Sequence, residues 1–156
     1  MLSHRSREST DCTDLTGLHR KTDRREASSQ PDGPGRPSSD GLTYKVIGCA
    51  QQVHRELGPG FPEAVYKRAL CYELARQGVP FTSEKEFEVC YHGANCGSFR
   101  VDLFVDARLV VELKAVEALC DQHNAQTLAY LKAAGAKFAL LMNFGQTSLA
   151  VKRFAN

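Results

Sequence analysis

No stretch of the 156 residues approaches the ~18 consecutive apolar residues that a membrane-spanning helix needs. The opening residues Met1 to Glu8 carry two arginines and lack an apolar h-region, so no secretory signal peptide is expected. Neither sign of charge dominates: 20 Lys and Arg stand against 18 Asp and Glu, a formal charge of +2. That balance excludes a strongly basic polyanion coat and a strongly acidic tail, so any contact with nucleic acid must come from local charge. The six cysteines, Cys12, Cys49, Cys71, Cys90, Cys96 and Cys120, include no CxxC pair and no Cys/His spacing typical of zinc. Free thiols in a reducing cytoplasm are therefore expected. A zinc site or a disulfide is the alternative, with Cys90 and Cys96 the one near pair in sequence. There is no internal repeat.

Residues 1–40 have 7 basic and 7 acidic side chains, and 13 of the 40 are Ser, Gly or Pro. Only 6 are hydrophobic and none is aromatic. Such a segment cannot bury enough apolar surface to offset its ordering entropy. It reads as a disordered N-terminal extension ending in Gln30–Asp40, or as upstream sequence from an over-long reading frame. Residues 41–156 differ: 60 of 116 are hydrophobic and all 13 aromatics lie there, enough for one core of ordinary domain size.

Within that domain Val46, Ile47, Ala50, Val53 and Leu57 recur at helical spacing, predicting a helix over Thr43–Leu57 stopped at Gly58. A second helix is expected from Pro62 to Gln77, ended by Gly78 and Pro80. Three strand-like stretches follow: Thr82–Tyr91, Ser98–Val105 and Leu109–Ala115, the last two close enough to form a hairpin. A helix over Asp121–Ala134, with Asp121 as its cap, precedes short strands at Lys137–Asn143 and Thr147–Phe154. The order α-α-β-β-β-α-β-β predicts an α/β or α+β domain with a mixed central sheet flanked by helices.

Charged residues stand where an apolar strand has least use for them. Leu109–Ala115 reads LVVELKA, with Glu112 and Lys114 two apart and so on one face. Burying them is costly unless they are paired or bound to a metal. The preceding strand, Arg100–Val105, carries a second acid, Asp102. A three-residue loop, Asp106–Arg108, would set Asp102 directly opposite Glu112, whereas a two-residue loop would put them on opposite faces. Opposed carboxylates suit a hard divalent cation such as Mg²⁺, which takes a couple of carboxylates plus waters and phosphate oxygens. Lys114 would then lie beside the metal. A third acid, Glu63, shares a helix face with Tyr66 and Leu70. The plainer reading of Glu63 is a favourable charge near a helix N-terminus, and that of Glu112 and Lys114 an ordinary ion pair on a wet face.

Gly60-Phe61-Pro62-Glu63-Ala64-Val65-Tyr66 matches a GxxExxY signature, and Asp102 with Glu112-Leu113-Lys114 matches a D-x(9)-ExK pattern. In this order and spacing the chain, from about Tyr44 to Phe154, resembles the GxxExxY protein family. That family is assigned to the PD-(D/E)XK nuclease superfamily, with its restriction-endonuclease-like fold. The resemblance implies that Asp102 and Glu112 ligate a metal, that Glu63 completes the acidic cluster, and that Lys114 assists the attacking water or the transition state. Val101 stands where the superfamily name has Pro. On the following helix His123, Gln126 and Tyr130 are spaced to share a face. In related nucleases a Gln there lines the active site, which makes Gln126 a further catalytic candidate. The other reading is a polar helix face with Tyr130 half-buried. Lys67 and Arg68 could reach a phosphate backbone, although such pairs are more often solvated.

The expectation is a nuclease dependent on Mg²⁺, or else Mn²⁺, hydrolysing phosphodiester bonds of nucleic acid, with DNA the expected polymer by analogy with the superfamily. Superfamily practice leaves a homodimer open, and no membrane partner is expected. The main alternative is a non-catalytic nucleic-acid-binding or protein-interaction module on the same fold. A hydrolase of a small nucleotide is a third.

Overall fold

A computed structural model describes residues 39–156, so the reading of the N-terminal 40 residues lies outside the described part apart from Ser39 and Asp40. Three helices and five strands follow in the expected order: α1 (Ser39–Leu57), α2 (Glu63–Arg76), β1 (Phe81–Tyr91), β2 (Ala94–Val105), β3 (Leu109–Lys114), α3 (Asp121–Ala133), β4 (Phe138–Asn143) and β5 (Ala150–Ala155). The strands form one mixed sheet in the order β1-β2-β3-β4-β5. Only β3 and β4 are parallel. A parallel pair needs a long crossover, and α3 supplies it.

The sheet is covered on both faces. Leu42, Val46, Ala50 and Val53 of α1 and Tyr66, Leu70 and Leu74 of α2 pack with Leu103, Val111, Leu113, Leu140 and Met142 in the main core. On the other face Leu131 of α3 packs with Val101, Val110 and Ala139. A strand with helices on both faces gains from apolar residues at every position, which is why β3 lacks clean alternation.

Some details depart from expectation. β2 begins at Ala94, four residues earlier than the apolar pattern suggests. Asn95, Gly97 and Ser98 have little strand propensity, but backbone pairing with β1 extends the hairpin through a turn at His92-Gly93, both at positive φ. α3 has Cys120, not Asp121, at its N-cap position; the Cys120 N–H donates to Nδ1 of His123 at 3.2 Å. The five described cysteines are all free.

The alternation of β2 breaks at one residue. Val101 belongs to the α3-side cluster and Leu103, two residues on, to the opposite one. Across the hairpin the register runs through Ser83↔Leu103 and Lys85↔Val101, but the Glu84–Asp102 pair between them is missing and Glu84 has φ 53°. The pleat reverses at Asp102, a local irregularity of the kind that re-aims a side chain.

Candidate metal and phosphate site

The connection between β2 and β3 is the three-residue loop, with Asp106 and Ala107 at positive φ and the Arg108 N–H donating to the Val105 carbonyl at 3.1 Å. The register that results pairs Val105↔Leu109, Phe104↔Val110 and Leu103↔Val111. One step further, that register sets Asp102 opposite Glu112. There the ladder gives way to side-chain bonds. Oδ2 of Asp102 accepts from the Leu113 N–H at 2.9 Å, and Oε1 of Glu112 accepts from the Asp102 N–H at 3.3 Å. Each carboxylate is thus held by the backbone of the other strand.

Glu112 is 3% exposed. Burial, with the Asp102 carboxylate adding to it, pushes its pKa up to about 8, against the pull of the Asp102 N–H and Lys114. Glu63, half-buried at the start of α2, is also raised, first by burial and then by Asp102; Lys114, Lys67 and His123 oppose the shift. Glu63 thus lies within electrostatic reach of Asp102, Lys114, Lys67 and His123, and Glu112 within reach of Asp102, Lys114 and Glu63. Gln126 is one helical turn beyond His123, and its amide donates to the Tyr130 hydroxyl at 3.0 Å. The Tyr130 ring stacks on Phe99 of β2 at 4.4 Å.

Glu63 owes its place to the rest of its motif. Tyr66 is fully buried, stacked on Phe144 with ring centroids 4.8 Å apart. Its hydroxyl donates to the Gly58 carbonyl at 2.7 Å and accepts from the Phe61 N–H at 3.1 Å. The tyrosine ties down the loop that enters α2, and Gly60, at φ 112°, gives that loop a turn that other residues resist. Glu63 then starts the helix facing β2 and β3.

Three contributors are hidden in the sequence. Lys67, which the sequence leaves as either a phosphate contact or a solvated charge, is only 19% exposed at its side chain. Its Nζ lies 2.8 Å from Oε1 of Glu84 and 3.5 Å from Oδ1 of Asp102. It sits one turn after Glu63 on α2 and so faces the sheet, not the solvent. Glu84 is brought in by the irregular position on β1. Asn143, fully buried at the end of β4, accepts from the N–H groups of Val116 and Gly145 at 3.0 and 3.1 Å and donates to the Val116 carbonyl at 2.8 Å. It fixes the segment that follows Lys114. The spacing of Glu63 and Lys67, four apart on a helix, is the one sequence signal for Lys67.

A sequence comparison with protein families matches the PD-(D/E)XK nuclease superfamily over residues 40–154. The chain belongs to that superfamily. No curated protein is matched. Among solved structures, "Crystal structure of SSO0001" is similar to this chain at 16% identity with a TM-score of 0.40, covering 74% of this chain and 65% of that one.

Nucleases of the superfamily typically use divalent metals, and the donor set here can be weighed against one. Among the described residues no group of three or more His, Cys, Asp or Glu side chains is placed to hold a metal ion. Mg²⁺ does not require one: it is ordinarily held by one or two carboxylates, with waters and substrate phosphates completing the octahedron. Asp102 and Glu112 offer two hard oxygen ligands, the second raised in pKa by burial and by the first. The residues present fit such an ion. Among the described residues no helix is long and apolar enough to cross a membrane.

Proposed function

We propose that this protein is a metal-dependent nuclease that hydrolyses phosphodiester bonds in nucleic acid, with DNA as the polymer. The observation that carries this reading is the cross-strand pair. Two carboxylates are opposed at the end of the β2–β3 ladder, each anchored by the other strand's backbone, with Lys114 two residues from Glu112. A binding module has no need to keep a glutamate at 3% exposure beside a second acid, because each uncompensated charge destabilises the fold.

In this reading Asp102 and Glu112 hold Mg²⁺ or Mn²⁺, with Glu63 completing the acidic cluster from α2. When bound, the ion supplies charge stabilisation at the phosphate and lowers the pKa of a coordinated water. Lys114 donates to the attacking water or to the phosphoryl oxygen that gains charge. Gln126, on the face of α3 that also carries His123, orients water or substrate. The anchoring hydrogen bonds on Asp102 and Glu112 keep the acids in place before substrate arrives, the preorganisation on which electrostatic catalysis depends. The match to the GxxExxY signature at Gly60–Tyr66 supports the narrower family assignment.

The test is cleavage of labelled single- and double-stranded DNA and RNA by the full chain in Mg²⁺ or Mn²⁺, then in EDTA, beside Asp102→Ala and Lys114→Ala. Metal-dependent cutting of DNA that both substitutions abolish is the expected result. Cutting of RNA alone would reassign the polymer. No cutting by a folded, metal-binding protein would favour a non-catalytic nucleic-acid-binding or protein-interaction module.

A further inference from the structure

Lys67 stands where the proposed nuclease chemistry has no obvious use for it. An ammonium lies 3.5 Å from Oδ1 of Asp102, on a carboxylate whose other oxygen, Oδ2, is engaged by the Leu113 N–H. Oδ1 is thus the oxygen left to face a cation, and Lys67 already faces it. The lysine is bound more closely to Glu84, at 2.8 Å. Glu84 in turn is 53% exposed and stands at a position of β1 with positive φ, where its pairing with Asp102 is missing.

We infer that Lys67 competes with the divalent cation for Asp102, and that Glu84 is the counter-ion that receives the lysine when the cation takes that carboxylate. The inference rests on the nuclease reading of the site and extends it to regulation of metal loading. A cation and an ammonium cannot share one carboxylate oxygen without repulsion. With a second carboxylate already at 2.8 Å, Lys67 can leave Asp102 without being stranded as an unpaired, half-buried charge. Glu84 is accordingly a positioning residue acting through Lys67. The ammonium, meanwhile, neutralises part of the acidic cluster in the metal-free protein.

Two substitutions separate this arrangement from a general effect of charge. Lys67→Met keeps the stem that packs between α2 and the sheet but removes the competitor. Mn²⁺ should then bind roughly tenfold more tightly, read by calorimetry or by the spin-resonance signal of free Mn²⁺ on the full chain without nucleic acid. Glu84→Gln leaves the lysine to Asp102 alone and should weaken Mn²⁺ binding about threefold. In the Lys67→Met background Glu84→Gln should have almost no effect, because Glu84 acts through the lysine. Lys67→Arg, which keeps the charge, should bind Mn²⁺ no more tightly than the parent. Circular dichroism and thermal melting check that each variant is folded.

Equal Mn²⁺ affinity in parent and folded Lys67→Met would overturn the inference and leave the nuclease reading standing. A Glu84→Gln effect of the same size in both backgrounds would also overturn it, since Glu84 would then act only as a distant charge. Absence of Mn²⁺ binding in every folded variant would remove the metal site itself, and both readings with it.

Discussion

The Asp102 N–H donates to Oε1 of Glu112 at 3.3 Å, and Oδ2 of Asp102 accepts from the N–H of Leu113, the residue after Glu112, at 2.9 Å. Two acidic side chains are thereby held side by side by backbone donors that would otherwise belong to the sheet ladder. The arrangement costs the fold a regular pair and buries Glu112 beside a second acid, so that ionising it is costly. Sites that do chemistry on charged substrates are where such costs are met.

Asp102 should have separable structural and chemical parts. Asp102→Asn retains an acceptor for the Leu113 N–H, so its stability should stay within about 0.5 kcal/mol of the parent. Asp102→Ala leaves that buried donor unpaired and should cost about 1–3 kcal/mol in urea unfolding. Both should lose Mn²⁺ binding. Equal stability of the two variants would mean that the Asp102–Leu113 bond contributes nothing.

Glu112 predicts a pH dependence of definite sign. Its pKa rises from an ordinary 4.5 to about 8 in the folded protein, so between those values the native state holds a proton that the unfolded chain has lost. Stability in EDTA should therefore fall as pH rises from about 4.5 through 8. Glu112→Gln should flatten that slope and raise the Tm at pH 8 by roughly 5 °C, read by calorimetry. A slope that survives the substitution would assign it to other groups.

The same group should couple metal to protons. Near pH 6.5 Mn²⁺ binding should release close to one proton, because the ion requires the ionised carboxylate. Titration calorimetry in buffers of different ionisation enthalpy measures that number directly. Glu112→Gln should abolish the release.

Tyr66→Phe keeps the ring against Phe144 and removes the two hydrogen bonds to the Gly58–Phe61 loop. It should cost about 1–2 kcal/mol of stability. Cleavage should fall with it, because the loop positions Glu63. Unchanged cleavage at reduced stability would detach Glu63 from the chemistry.

Asn143 and Gly145 carry the other side of the site. Asn143→Ala removes three hydrogen bonds to Val116 and Gly145 from a fully buried position and should cost about 2–4 kcal/mol. Gly145→Ala would drive a Cβ into the Val116 carbonyl oxygen, so the backbone must shift. Both should lower Tm, and cleavage by the folded fraction should also drop as the segment after Lys114 moves. An unchanged Tm for Asn143→Ala would show that the hydrogen bonds to Val116 and Gly145 carry little stability.

Much of the fold, and the placement of Asp102 opposite Glu112 in the candidate site, are legible in the amino-acid sequence. Helical periodicity in α1 and α2 and the apolar run of β3 reflect burial, which one residue after another records locally. The three-residue loop Asp106–Arg108 is a short-range constraint, and it is enough to predict Asp102 opposite Glu112 with the alternation of side chains as the only added rule. Asp102, Glu112 and Lys114 stand out because acids and a lysine in apolar strands contradict the pattern around them, whereas Glu63 stands out only through the GxxExxY signature. Lys67, Glu84 and Asn143 give no such contrast: a lysine on a helix, a glutamate in a polar strand and an asparagine before a loop are ordinary in sequence. Their roles arise from contacts between elements far apart in the chain, α2 with β1 and β2, and β4 with the segment after β3. The reversal of the pleat at Asp102 belongs with them. It depends on which helix layer takes Val101 and which takes Leu103, and that choice exists only once both faces of the sheet are covered.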